Sequence, residues 1–146
     1  CAIGRGGLTK NKIEGDHKTP IGEFKFNKVF YRADKLGEMV FNLPSQVIDK
    51  DYGWCDDPEH KQYNQLIKFP FSASAEKLHR DDDLYDLLFV INYNTDPIVP
   101  GSGSAIFLHI SKPNFDGTEG CIAIEKKNII ELSKKIDLET KLIIKS

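Results

Sequence analysis

Short apolar runs, each soon broken by turn residues, set the pattern of this chain. Gly22-Glu-Phe-Lys-Phe26 alternates polar and aromatic positions, and Lys28-Val-Phe-Tyr31 clusters β-formers, so both segments predict strands. Asp86-Leu-Leu-Phe-Val-Ile-Asn-Tyr93 is a continuous apolar run bounded by charge on one side and by Asn94-Thr-Asp-Pro97 on the other, the pattern of a fully buried strand. Ala105 to Ile110, Cys121 to Ile124, and Lys141-Leu-Ile-Ile-Lys145 predict three more. Ile129, Leu132 and Ile136 repeat at i, i+3, i+7 with lysines opposite, which predicts a helix, and Ser74 to His79 predicts a shorter one. Turn residues fill the gaps, as in Asp49-Lys-Asp-Tyr-Gly53 and Val99-Pro-Gly-Ser-Gly103. The expected architecture is mainly β, a sandwich or partly closed barrel with one or two packed helices.

The chain has 146 residues, the size of one domain with a real core, and it carries no internal repeat, linker or low-complexity segment. Twenty basic against 22 acidic residues leave a net charge of −2, so no field favours nucleic acid or an anionic membrane surface. No apolar run is long enough to predict a membrane-spanning segment. The opening Cys1-Ala-Ile-Gly4, without an initiator methionine, reads as a chain cut inside a strand, which leaves any targeting segment outside it. Three cysteines allow one disulfide and one free thiol. With Cys121 free, Cys1 and Cys55 form a pair, stay as two unpaired thiols, or leave Cys1 as a lipidated N-terminus; sequence offers no geometry to choose among these.

Chemistry enters at the end of two predicted strands. His109 closes Ser104-Ala-Ile-Phe-Leu-His109, and Cys121 opens the next run after Thr118-Glu-Gly120. If these runs are adjacent antiparallel strands, the loop brings thiol and imidazole together, the minimum equipment for acyl transfer through a thioester. Gly120 permits a tight turn that aims successive N–H groups at one point, where a tetrahedral oxyanion would form. The plainer alternatives are a small buried cysteine at a strand start and a satisfied histidine at a strand end.

A second segment tips this balance. Gly15, Asp16, Thr19, Pro20, Gly22 and Phe24 stand in the register of a Gly-Asp-x-x-Thr-Pro-x-Gly-x-Phe element, and Thr118, Gly120 and Cys121 in that of a Ser/Thr-x-Gly-Cys element. With His109 upstream, the chain resembles the L,D-transpeptidase catalytic domain, the YkuD-like family. Asp51-Tyr-Gly-Trp-Cys-Asp-Asp-Pro58, Tyr63-Asn64 and Gly103 to His109 look like one divergent branch of it. The likeness spans almost the whole chain, 1–146, as a single L,D-transpeptidase-like domain. Three positions depart from the family pattern: Glu119 replaces a common His, Ala123 a common Arg, and Ile110 a common Gly.

The resemblance implies that a Cys121 thiolate attacks a stem-peptide carbonyl of peptidoglycan and expels a terminal D-alanine. His109 acts as base, and the N–H groups of Gly120, Cys121 and Glu119 form the oxyanion hole. Thr118 and Glu119 belong to the nucleophile turn. A loop carbonyl near Thr118, or Asp116, is expected to hold the second ring nitrogen of His109. A carboxylate at Glu119 raises the thiol pKa unless it points away or meets a cation. Expected substrate contacts are Trp54, Asp56 and Asp57, an aromatic-acidic cluster suited to a cationic amine, with Tyr93 and Asn94 at the cleft edge. For Trp54, a half-buried place in a surface turn is the plainer reading. Arg5 and Arg32 are candidates for the missing guanidinium, with surface ion pairing as their plainer role. His17, His60 and His79 read as solvated, and no His/Cys/Asp spacing suggests a metal. No cofactor is expected. The implied location is periplasmic or at the cell wall. Three functions stay open: transpeptidase, L,D-carboxypeptidase through the same acyl-enzyme, or a wall-binding module without catalysis.

Overall fold

A computed structural model describes residues 1–146. In chain order the elements are β1 (Leu8–Thr9), β2 (Thr19–Pro20), β3 (Gly22–Tyr31), α1 (Ala33–Leu36), β4 (Ser45–Val47), β5 (Tyr52–Cys55), β6 (Leu66–Lys68), β7 (Ala75–Lys77), β8 (Leu87–Ile91), β9 (Phe107–Ile110), β10 (Ile122–Ile124), α2 (Lys126–Ser133) and β11 (Lys141–Ile144). The fold is mainly β, as the hydrophobic pattern predicts. A principal sheet runs β10-β9-β8-β3-β11, with β4 also paired to β3; a smaller sheet runs β6-β5-β7, and β1 and β2 form a short parallel pair.

The burial of β8 explains its uninterrupted apolar run. It sits between β3 and β9, and both of its faces are covered. Leu87, Phe89 and Ile91 share one core with Phe26, Val29, Tyr31 and Ile129 of α2. Leu88 and Val90 share the other with Phe30, Trp54, Phe107 and Cys121. Alternation along β9 follows the same division: Leu108 and Ile110 enter the first core and Phe107 the second, which also puts His109 on the small-sheet side, opposite Leu88.

Several expectations are corrected. Strands β9 and β10 are parallel, not antiparallel, with Leu108, His109 and Ile110 opposite Ile122, Ala123 and Ile124. The loop 111–121 therefore returns along the sheet instead of making a hairpin, and Ala2 pairs antiparallel with Ala123 beyond it. The segment expected as a helix from Ser74 to His79 holds β7, because pairing with Gly53, Trp54 and Cys55 of β5 overrides its local preference. The two strands expected between Gly22 and Tyr31 are one, with a register shift between Phe26 and Lys28. In the helical pattern, Ile129 and Ile136 are buried, but Ile136 lies beyond α2 and Leu132 is largely exposed. All three cysteines are unpaired: Cys55 is buried in β5, whereas Cys1 is exposed beside the Ala2–Ala123 bridge.

Candidate active site

Parallel pairing still brings the thiol and the imidazole to one face. Ala123 lies opposite His109, so Cys121 stands two residues back along the neighbouring strand line, on the same side of the sheet. At a rise of about 3.3 Å per residue and a strand spacing of about 4.8 Å, their Cα atoms fall about 8 Å apart, within reach of two converging side chains. Both line a cleft of about 510 Å³ between the principal sheet and the small one, within the size range of small-molecule sites.

The turn before Cys121 is held from several sides. Gly120 has φ +138°, a conformation that side chains disfavour, and a Cβ there would lie 3.0 Å from the Lys18 carbonyl oxygen. Thr118 Oγ1 donates to the Cys121 carbonyl at 2.7 Å and accepts the Gly120 N–H at 3.1 Å. Thr19 accepts the Gly4 N–H and donates to the Gly120 carbonyl, both at 2.8 Å. Asp16 in turn accepts the N–H groups of Ile13 and Lys18 and pairs with the buried Lys12, which keeps its carboxyl below the usual range despite partial burial. The Gly-Asp-x-x-Thr-Pro element thus braces the turn that leads into Cys121. With the Gly120 N–H committed to Thr118, the N–H groups of Glu119 and Cys121 are the ones without a partner inside the chain, so the expected donor at Gly120 is corrected.

His109 is buried, and its Nδ1 is 2.8 Å from the carbonyl oxygen of Ile110. A carbonyl can only accept, so Nδ1 carries the proton and Nε2 is the free base. Neither the carbonyl near Thr118 nor Asp116 plays the expected part; Asp116 lines the cleft and pairs with Lys112. Burial holds the imidazole down, to about 4, and pushes the Cys121 thiol up, to about 12. Between these values thiol and imidazole form a neutral pair. Cys121 Sγ donates to the Ala105 carbonyl at 3.1 Å and accepts the Phe107 N–H at 3.4 Å. Glu119 points to solvent and is paired with Arg5 at 3.0 Å and with His17, which answers the charge its position would otherwise bring.

The other expected residues divide. Asp56 lines the cleft; Asp57 lies in an exposed turn, accepting the Glu59 N–H. Trp54 is buried against Phe30 and Phe107 and does not line the cleft. Its indole N–H goes to Asn64 Oδ1, which also accepts the Ala105 N–H. Trp54 thus supports the corner whose carbonyl meets the Cys121 thiol, and the expected stacking on substrate is corrected. Tyr93 and Asn94 also lie off the cleft: Tyr93 packs on Phe24 and donates to Ser102, while Asn94 closes its loop onto Val99 and Gly103. Arg32 is tied to Asp34 and to the Arg80 carbonyl, away from the cleft.

Sequence reading missed Glu76, Arg80 and Tyr85, which line the wall facing Cys121 and His109. Tyr85 stands edge-on to the His109 ring at 5.1 Å, Arg80 lies 5.1 Å over the Tyr85 ring, and the Tyr85 hydroxyl donates to Glu76. They fall in and after a segment whose composition suggests a helix, and no local spacing marks them. The one usable signal is the pair of apolar positions, Leu78 and Tyr85, flanking an otherwise charged stretch.

No group of His, Cys, Asp and Glu is arranged to hold a metal, and no helix is long and apolar enough to cross a membrane. Residues 1–144 match the family model described as the L,D-transpeptidase catalytic domain, YkuD. No curated protein and no solved structure matches the chain.

Proposed function

From the premise that this chain belongs to the L,D-transpeptidase catalytic-domain family, we propose that it is a cysteine-dependent L,D-transpeptidase of peptidoglycan stem peptides. The observation that carries the reading is that Cys121 and His109 line one cleft, with Nδ1 of His109 held by the Ile110 carbonyl. The thiol proton passes to Nε2 as Sγ bonds to the donor carbonyl, and the same proton then goes to the departing amine of D-alanine. An acceptor amine next attacks the thioester and gives a proton to His109; its C–N bond forms, the C–S bond breaks, and His109 passes that proton to sulfur. The free N–H groups of Cys121 and Glu119 are assigned to the oxyanion, where one such donor is worth about 10²–10³ in rate.

The cleft carries more acidic than basic side chains, with Glu14, Asp56, Glu76 and Asp116 against Arg80 and Lys112, which suits a donor or acceptor carrying an amine. The substrate places the working site outside the cytoplasmic membrane, in the periplasm or at the wall. Incubation with tetrapeptide muropeptides, read by mass spectrometry, tests the reading. Crosslinked dimer with loss of D-alanine is expected from the unaltered chain and none from Cys121→Ala or His109→Ala. Tripeptide alone would assign an L,D-carboxypeptidase, and no product from the folded chain would favour a wall-binding module.

A further inference from the structure

Arg80 supplies the inference. The chain has three arginines, and two are committed elsewhere: Arg5 to Glu119 and His17, Arg32 to Asp34 and the Arg80 carbonyl. Arg80 alone of the three lines the cleft that holds Cys121 and His109. Its guanidinium lies over the Tyr85 ring at 5.1 Å, and that ring stands edge-on to His109, also at 5.1 Å. These two steps bound the separation of guanidinium and imidazole.

The guanidinium is held but not used up. Nε and Nη2 each donate to Asp82, at 2.8 and 2.6 Å, and the Arg80 carbonyl accepts Arg32 Nη1 at 2.8 Å, so side chain and backbone are both fixed. Asp82 occupies one edge of the fork. Nη1 has no partner in the chain, so the Nη1–Nη2 edge keeps the geometry for a second, bidentate carboxylate. A third of the side chain is open to solvent, which leaves it within reach of a ligand. A donor already oriented in this way loses little freedom on binding. The other charged groups of the cleft offer a carboxylate no such place. Glu14, Asp56, Glu76 and Asp116 repel it, Lys112 is paired with Asp116 at 3.7 Å on a half-exposed stem, and His17 is turned to Glu119.

We propose that Arg80 is a specificity-determining residue: its free edge binds the α-carboxylate of the D-amino acid on the leaving side of the scissile bond. This rests on the transpeptidase reading of the cleft and names the group by which a stem peptide is accepted. The distances agree. A base serving the scissile nitrogen stands about 3 Å from it. The leaving residue carries its carboxylate about 3.5 Å further on, and a charge-assisted N–H···O bond adds about 2.8 Å. Laid end to end, these steps span the separation between His109 and Arg80. A stem ending in a free carboxylate is therefore selected over one whose end is amidated.

Binding to the Cys121→Ala chain, which keeps the cleft but lacks the thiol, tests this by calorimetry. The probe is a D-alanine-terminated tetrapeptide stem, as the acid and as the C-terminal carboxamide. The acid is expected to bind about 10- to 100-fold more tightly. Adding Arg80→Met, which removes the donors and keeps a stem on Tyr85, is expected to erase that preference by weakening the acid alone. Arg80→Lys, a charge without the fork, is expected to keep only part of it. Equal affinities for acid and amide with Arg80 present overturn the proposal, as does a preference that survives Arg80→Met. If Arg80→Met does not fold, Arg80→Lys carries the comparison, and a full preference retained there overturns the role of the fork. An acid preference lost with Arg80, beside absent muropeptide turnover with Cys121 in place, would leave this site standing and count against the transpeptidase chemistry. No binding of either form would overturn both.

Discussion

On one wall of the cleft, between Gly15 and Phe24 and again between Thr118 and Cys121, backbone geometry does most of the positioning. Asp16 gathers N–H groups, Thr19 bonds the Gly120 carbonyl, and Gly120 takes a φ of +138° that admits its turn. On the facing wall, between Trp54 and Tyr85, side chains from distant positions do the work. Asn64 joins Trp54 to Ala105, and Tyr85 joins Glu76 to the face of His109. The difference teaches where function can be read. Turns need particular residues at fixed short spacing, so they leave motifs, and even the long-range bond from Thr19 to Gly120 joins two such turns; side-chain contacts between isolated distant positions leave none.

The sharpest way to break this contrast is Gly120→Ala. A Cβ would meet the Lys18 carbonyl oxygen at 3.0 Å in a backbone conformation that alanine disfavours. Misaimed N–H donors at Cys121 and Glu119 should lower turnover by about 10²–10³, and the strain should cost about 1–3 kcal/mol of stability. Muropeptide kinetics beside thermal unfolding check both; near-normal turnover would mean that the turn is not the oxyanion site.

Next in size comes the pH response. With burial holding His109 down to about 4 and Cys121 up to about 12, neither group is charged between those values. The thiolate fraction therefore rises with pH throughout that interval, and alkylation of Cys121 by iodoacetamide should climb about tenfold per pH unit from 7 to 10. A plateau that begins near pH 7 would instead reveal a preformed thiolate–imidazolium pair.

The other wall is probed by Asn64→Leu, which strands the Trp54 indole N–H and the Ala105 N–H in the interior. Two orphaned donors should cost about 2–4 kcal/mol together. Chemical denaturation measures the cost, and a loss below about 0.5 kcal/mol would remove Asn64 as the hub of this wall. The smallest effect is expected at Glu119→Gln. Its ion pairs with Arg5 and His17 are largely exposed, so stability should move by less than about 1 kcal/mol. Turnover should stay within about threefold, because the carboxylate points away from the reacting sulfur. A large loss would make Glu119 a participant in its own right.

Legibility followed the same division. The β8 run reads as buried because both of its faces are covered, and the helix reads from Ile129 although Leu132 ended exposed. The relation of β9 to β10 was misread because a loop's length does not declare its direction; the segment 111–121 returns along the sheet with no helix to mark the crossover. Even so, Cys121 and His109 both line the cleft, since side-chain alternation places them on one face in the parallel register. Trp54 and the Ser74 to His79 segment were misplaced for a common reason. Both depend on the pairing of β5 with β7, a contact between segments about 20 residues apart that no local pattern encodes. Glu76, Arg80 and Tyr85 went unseen with them.

The central claim is that Cys121 is a nucleophile served by His109 in a cleft that accepts acyl donors. Its most direct test is the intact mass of the protein after exposure to a carbapenem, whose strained ring acylates a competent thiol without a leaving group. One adduct of the full carbapenem mass is predicted, mapped to Cys121, absent in Cys121→Ala and formed far more slowly in His109→Ala. An unmodified wild-type chain that is demonstrably folded, or an adduct that persists without Cys121, would contradict the account.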